Sequence, residues 1–116
     1  MKRNDKLKRI LKYWQIFLNL QEWNLKIEEC EFKRKDYPQS GDIKVDLKNK
    51  SAKILISKEK TGKDKTIILH ELVHLILWNL DSFAEKRILK KEKDTYFGEL
   101  EKTVSTLTKI IIEKDK

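Results

Sequence analysis

The hydrophobic pattern of the chain begins with a helical stripe. Apolar residues near the N-terminus recur at intervals of three and four, the spacing that places side chains on one face of an α-helix: Leu7, Ile10, Leu11, Trp14, Phe17 and Leu18. Asn4 or Asp5 can cap this helix, because a short polar side chain accepts hydrogen bonds from the unpaired backbone N–H groups of a first turn. We therefore predict a first helix that ends near Leu20 and buries one face.

Three later segments alternate apolar and polar residues with a period of two, which is typical of half-buried strands. Their apolar residues are Trp23, Leu25 and Ile27, then Ile43, Val45 and Leu47, then Ala52, Ile54 and Ile56. Turn residues at 36–42, which include the only proline, separate the first strand from the second. A short turn at 49–51 joins the second and third as a hairpin. The pattern predicts a three-stranded antiparallel sheet.

Helical spacing returns in the second half of the chain. Asp64 is a suitable N-cap for a helix that runs to about Leu80 and is apolar nearly all round, as expected of a buried central helix. Residues 84–95 are charged and lack a clear stripe, so they fit either a loop or a helix on the surface. The last segment again has helical spacing, at Phe97, Leu100, Val104, Leu107 and Ile111. We expect one α+β domain over residues 1–116, with an N-terminal helix, the sheet, the buried helix and a C-terminal helix.

The buried helix contains the only two histidines of the chain, in the sequence His70-Glu71-Leu72-Val73-His74. On an α-helix this spacing puts both imidazoles on one face, one turn apart, whereas Glu71 projects about 100° away from His70. This arrangement is typical of a zinc site with a general base beside it. The alternative is a pair of core histidines satisfied by hydrogen bonds, because burying polar groups without partners is costly.

A catalytic zinc site usually has three protein ligands, and the chain has no third histidine. The third ligand must then be Cys30 or a carboxylate, and the downstream carboxylates are Asp81, Glu85, Glu92, Asp94, Glu99 and Glu101. Asp81 would lie two turns beyond His74 on the same helix, about 10 Å further along, which is too far to share an ion with both histidines.

Glu101 is the preferred third ligand. It falls between Leu100 and Val104 on the predicted buried face of the last helix, whereas Glu99 is predicted to face solvent. Glu99 stays open as the alternative. The sequence thus predicts His70, His74 and Glu101 as metal ligands.

These residues resemble a known group of proteins. The histidine motif, followed on a later helix by Glu101 with apolar Val104 and Leu107, is similar to the small zinc metallopeptidases of the ImmA/IrrE type, which are minimal gluzincins of bacteria and phages. The resemblance covers residues 64–112 by motif, and the earlier helix and strands by the order of elements. It implies a minimal zincin-like core in which an edge strand above the metal pairs with an extended peptide substrate. Ala52 to Ser57 is the candidate for that strand.

The predicted function is a zinc-dependent metallopeptidase that hydrolyses peptide bonds of a protein substrate. Glu71 would accept a proton from the water that zinc activates and return it to the leaving amine. The oxyanion of the intermediate needs a further donor. Tyr96 and Tyr37 are candidates for this donor, and the sequence assigns the role to neither. The resemblance implies that the substrate of some relatives is a single regulator, such as a repressor.

Composition limits the class of protein. A chain of 116 residues, 39% hydrophobic and 40% charged, fits one globular domain. It has no apolar run near the roughly 20 residues that span a bilayer and no signal-peptide features at its N-terminus, so we expect a cytoplasmic protein. Cys30 is the only cysteine, which excludes an intramolecular disulfide and a cysteine-based structural zinc site.

Charge suggests a rival function. The net charge is +8, and lysines and arginines cluster near residues 2–12, 58–65 and 86–93. Such a surface can attract nucleic acid, although acidic residues adjoin each cluster and no nucleic-acid motif accompanies them. The rival is a module that binds DNA or a regulator through this surface, with little or no hydrolysis. A structural domain with an incidental motif is a third possibility, and the oligomeric state stays open.

Overall fold

The elements of the fold follow largely the order predicted from the sequence. The computed structural model describes residues 2–33, 39–59 and 62–115, which form helix α1 (Arg3–Phe17), strands β1 (Asn24–Cys30), β2 (Gly41–Asp46) and β3 (Ser51–Ser57), and helices α2 (Asp64–Ile76), α3 (Trp78–Glu85) and α4 (Lys93–Lys114). The α+β class is confirmed. The chain divides into two compact units, Met1–Leu72 and Val73–Lys116, and the boundary falls inside α2.

Helix α1 buries the predicted stripe but begins earlier than predicted. Its N-cap is Lys2, which makes no side-chain hydrogen bond to the first turn. The predicted caps Asn4 and Asp5 therefore lie inside the helix, where the Asp5 carboxylate still interacts favourably with the positive end of the helix dipole. The buried residues of the helix are Leu7, Leu11 and Trp14.

The end of α1 is fixed by a residue in the left-handed conformation, Asn19, with φ of 58°. The backbone N–H of Asn19 donates to the Ile16 carbonyl over 3.1 Å, and that of Leu20 donates to the Gln15 carbonyl over 2.9 Å. These two bonds form a Schellman motif, which satisfies carbonyls of the last turn. Asparagine tolerates positive φ better than most residues, so the helix ends at Phe17 and not near Leu20.

The sheet is mixed, and β3 is its central strand. Strands β2 and β3 form the predicted antiparallel hairpin, but β1 pairs with β3 in parallel. The prediction of a wholly antiparallel sheet is therefore wrong. It assumed that strands adjacent in sequence pair with each other, whereas the least charged strand, β3, takes the position with two partners. The more charged β1 and β2 lie at the edges, where charged side chains reach water and discourage further pairing.

The central position of β3 also corrects the substrate-strand prediction. Ala52 to Ser57 was expected to form an edge strand, but both sides of β3 are paired. Its backbone groups are therefore not available to a peptide. The edge strands of the sheet are β1 and β2.

The strand register places like residues in rows across the sheet. One row, in which every residue is at most 9% exposed, is Ile27, Ile54 and Ile43. The adjacent row lies on the opposite, solvent-exposed face and is called the lysine row here: Lys26, Lys53 and Lys44. Like charges directly opposite each other destabilise a sheet. Only partial compensation comes from Glu28, whose carboxylate lies 3.1 Å from the Lys53 ammonium.

The helix predicted to run to Leu80 is broken instead. Helix α2 ends at Ile76, and α3 begins at Trp78 with its axis bent by 57°. Residues 84–95 comprise the end of α3, a turn, a single 3₁₀ turn at Lys90–Glu92 and the start of α4. Among the described residues, no single helix is long and apolar enough to cross a membrane, and α2 and α3 reach that length and composition only as a bent pair.

Helix α4 buries a narrower face than its apolar pattern predicts. Its buried residues are Val104 and Thr108, which are one turn apart. The Thr108 hydroxyl donates to the Val104 carbonyl over 2.8 Å, so a polar residue occupies a buried position without an unsatisfied group. Phe97 and Leu107 of the predicted stripe are 39% and 36% exposed.

Arg3, at the start of α1, forms hydrogen bonds with three other segments of the first unit. Its Nη1 donates to Glu29 in β1 over 2.9 Å and to the Ser57 carbonyl at the end of β3 over 3.0 Å, while Nη2 donates to Asp64 at the start of α2 over 3.1 Å. The Arg3 side chain is only 12% exposed. Burial opposes its charge, but the hydrogen bonds and charges of Asp64 and Glu29 outweigh burial and raise the pKa of Arg3. The guanidinium fork therefore stays charged and serves three acceptors at once.

Removing this arginine should destabilise the first unit. We expect Arg3→Ala to lower the free energy of unfolding by about 3 kcal/mol, because two poorly exposed carboxylates lose their cation. Arg9 is exposed on the same helix, so Arg9→Ala is a matched control with a change below about 0.5 kcal/mol. Urea denaturation followed by circular dichroism measures both variants. Equal losses would contradict the assigned role of Arg3.

Candidate metal centre

Helix α2 is buried over most of its circumference. Ile68, Leu69 and Leu72 have no exposed surface, and Val73 and Leu75 are at most 4% exposed. The first turn is held by Trp14 of α1, whose indole Nε1 donates to the Lys65 carbonyl over 3.1 Å. Such packing fixes the rotation of the helix about its axis, and with it the directions of its polar side chains.

His70 and His74 lie one turn apart on the same face of α2, and both are half-buried. The boundary between the two units falls between them, but the helix continues through it without a break. Their spacing is therefore a property of the helix itself.

A carboxylate from α4 contacts the second histidine. Glu101 Oε1 lies 2.8 Å from His74 Nε2, and the side chains are 57% and 17% exposed, respectively. Glu99 instead lies 3.4 Å from Lys102 of its own helix. The structure thus brings Glu101, and not Glu99, to the histidine. It does so from an exposed position, so the expectation that Glu101 is on a buried face was wrong.

One ligand atom from each of His70, His74 and Glu101 lies within 4.8 Å of the other two. Tetrahedral zinc with nitrogen and oxygen ligands at about 2.0–2.2 Å keeps its ligand atoms about 3.4 Å apart. The donor set could therefore hold a metal ion if its ligand atoms moved to such a spacing. Within the described part of the chain, no other group of histidine, cysteine and carboxylate side chains has this spacing.

Asp81 lies outside this group, but not for the reason predicted. Because α2 ends at Ile76, Asp81 is on α3 and not two turns further along the same helix. Its Oδ1 accepts a hydrogen bond of 2.7 Å from the Tyr96 hydroxyl. Burial, followed by this hydrogen bond and the charge of Asp81, raises the pKa of Tyr96 to about 12. Tyr96 is thus a protonated donor already engaged by Asp81, while Tyr37 lies outside the described residues.

The remaining sequence candidates also lie outside the group. Burial, and after it the charges of Glu28 and Asp42, raises the pKa of the Cys30 thiol, which disfavours the thiolate that a metal needs. Glu92 accepts a hydrogen bond of 3.1 Å from the Leu89 backbone N–H. Glu85 and Asp94 are exposed.

Glu71 occupies a different environment from the histidines. It is only 7% exposed and lies against the start of β2. A Cβ atom built on Gly41 would stand 3.0 Å from Glu71 Oε2 and 2.8 Å from Ile67 Cγ2. The absent side chain of Gly41 therefore leaves the space that the carboxylate uses. The sequence analysis identified Gly41 only as a turn residue. The signal that could have revealed its role is its position directly before an alternating strand.

Comparison of the chain with protein-family models, with curated proteins and with solved structures finds no significant match. The chemistry of the centre must therefore be inferred from its own side chains.

Filling the space beside Glu71 should be costly. We expect Gly41→Ala to lower the free energy of unfolding by about 1–3 kcal/mol, since the new methyl overlaps Ile67 and crowds the carboxylate. Gly98→Ala is the matched control: a Cβ there meets no atom within 4 Å, and alanine in a helix is favoured over glycine by about 0.5–1 kcal/mol. Thermal denaturation should show changes of opposite sign. A stabilised Gly41→Ala variant would show that the space is not needed.

Proposed function

We propose that this protein is a zinc-dependent peptidase whose metal is held by His70, His74 and Glu101. The 2.8 Å contact between His74 and Glu101 carries this proposal, because it brings a carboxylate from a separate helix to the histidine pair. Three protein ligands leave a position for water, as in catalytic zinc sites, whereas structural sites use four.

Glu71 is the proposed general base. Zinc, when bound, polarises a carbonyl and lowers the pKa of water towards neutrality. The role of Glu71 is to accept the proton of the attacking water and to return it to the leaving amine. Its placement supports this role, because the carboxylate follows His70 directly in sequence and is held in a largely water-free space beside Gly41.

The proposed substrate is a protein segment in extended conformation, and β2 is the strand best placed to pair with it. This strand lies at an edge of the sheet, and its first residue, Gly41, adjoins Glu71. A peptide added to that edge would gain main-chain hydrogen bonds beside the general base. The resemblance to the ImmA/IrrE-type gluzincins rests on the same ligand residues and stays a prediction.

Binding of nucleic acid or of a regulator through a basic surface is the second candidate function, favoured by the net charge of +8. The sheet itself gives it little support. The lysine row is flanked by Glu28, Asp42 and Asp46, and the outward residues of the three strands include no aromatic ring for base stacking. Retention on nucleic acid that falls steeply with salt would favour this function.

Zinc content tests the ligand set. Purified wild-type protein should hold about one zinc ion per chain after dialysis, His74→Ala should lose it, and Glu101→Gln should bind it more weakly because a neutral amide replaces a charged ligand. Glu99→Gln is the matched control two residues away and should behave as wild type. Elemental analysis, with a chromophoric chelator as competitor, measures all four proteins. Equal effects at positions 99 and 101 would refute the assignment of Glu101 as the third ligand. A wild-type protein that takes up no zinc would refute the metal site as a whole.

Glu71→Gln separates hydrolysis from metal binding. The variant keeps the size of the side chain and all three ligands, so zinc content should be unchanged while cleavage falls by about 10²–10⁴-fold. Cleavage is measured as new peptide termini in a proteome-derived peptide library by mass spectrometry, with chelator-treated wild type as the second control. Equal cleavage by both proteins would exclude Glu71 as the base. No cleavage by zinc-loaded wild type would contradict the peptidase proposal.

A further inference from the structure

The outer edge of β1 borders a groove in the first unit. The groove has a volume of about 760 Å³, with Lys8, Leu11 and Lys12 of α1 on one side and residues of β1 on the other. Within the described residues, no strand pairs with this edge of β1. An edge strand presents unpaired backbone N–H and C=O groups, which are a template for a further strand.

The charges around the groove favour an anionic occupant. Its two glutamates already have cations, since Glu28 lies 3.1 Å from Lys53 and Glu29 lies 2.9 Å from Arg3. Lys53 also lines the groove, and the other charged residues there are Lys8, Lys12 and Lys26. A partner with carboxylates would therefore be attracted to the groove.

The strand register specifies where those carboxylates belong. Lys26 ends the lysine row at the outer edge of β1, so the residue of an added strand directly opposite Lys26 would extend a row of like charges. An acidic residue there would turn repulsion into a favourable cross-strand pair. The neighbouring positions Leu25 and Ile27 point to the opposite face, where Leu11 also lines the groove, and they favour apolar side chains.

We propose that the outer edge of β1 binds an extended peptide by strand addition, with an acidic residue opposite Lys26 and apolar residues opposite Leu25 and Ile27. Main-chain hydrogen bonds supply affinity, and the alternation of apolar and acidic residues supplies specificity. The groove contains none of the metal ligands, so this binding does not depend on zinc.

Other occupants fit less well. If two copies of the chain paired through their β1 strands, Lys26 would lie opposite Glu28 only in the register that also places Leu25 opposite Glu29. The lysines of the two α1 helices would then approach each other. A nucleic acid would contact the lysines, but it would not use the apolar side chains of Leu11, Leu25 and Ile27 or the unpaired backbone groups of β1.

The test uses a fluorescein-labelled heptapeptide of alternating valine and aspartate and the full-length protein, with a chelator present to prevent zinc-dependent cleavage of the peptide. Fluorescence anisotropy at low ionic strength measures affinity. Three control peptides isolate the contributions: asparagine in place of aspartate, the same composition in two blocks, and methylation of alternate backbone nitrogens. We expect each control to bind more weakly, because the first removes charge, the second removes the alternation and the third removes main-chain donors.

Two exposed lysines serve as variant and control. Lys26→Glu should weaken binding of the aspartate peptide about tenfold, which corresponds to about 1.4 kcal/mol. Lys109→Glu changes the net charge equally but lies exposed on α4 and not on either edge strand, so it should leave affinity unchanged. A peptide with lysine in place of aspartate should bind Lys26→Glu better than wild type, which a merely structural effect of the substitution would not produce.

Several results would overturn the proposal. Equal effects of Lys26→Glu and Lys109→Glu, or full binding of the N-methylated peptide, would reduce the interaction to unspecific charge attraction. An oligonucleotide that binds more tightly than the peptide and is displaced by Lys26→Glu would assign the groove to nucleic acid. A β1-dependent dimer in sedimentation experiments would assign it to a second copy.

Discussion

A helix buried on nearly every side can carry ionisable groups only if the surrounding structure provides each of them with space and polar partners. Helix α2 is such a helix, and it carries His70, Glu71 and His74 within five consecutive residues. Glu71 lies in the space left by the missing side chain of Gly41. His74 contacts the carboxylate of Glu101. Glu71 and His74 thus each have a neighbour that lies outside α2.

Patterns local to one helix were the most reliable guide from the sequence. The histidine spacing placed both imidazoles on one face of α2 because a helix fixes side-chain directions through covalent geometry and backbone hydrogen bonds alone. The spacing on the last helix likewise favours Glu101 over Glu99, and the structure brings Glu101 to His74. The premise was less accurate than the choice, since the Glu101 side chain is 57% exposed and the buried residues of α4 are Val104 and Thr108.

Features that depend on several segments could not be read from local patterns. Alternation identified all three strands but carries no information on which strands pair, and β1 joined β3 in parallel instead of joining β2. The break after Ile76 interrupts an apolar run that reads as continuous. Gly41 matters because of the distance to Glu71, which is 30 residues later in the chain. For the strand pairing and for Gly41, the deciding contact is between residues far apart in sequence.

The central position of β3 has a consequence for how the first unit is assembled. Strands β1 and β2 do not touch each other in the sheet, so neither has a pairing partner until β3, the last strand in the chain, is in place. Arg3 likewise meets Asp64 across 61 residues. Closing such intervals costs chain entropy before any contact is gained, which favours all-or-none formation over stepwise growth. Every strand pairing in the sheet therefore includes β3, which is synthesised last of the three strands.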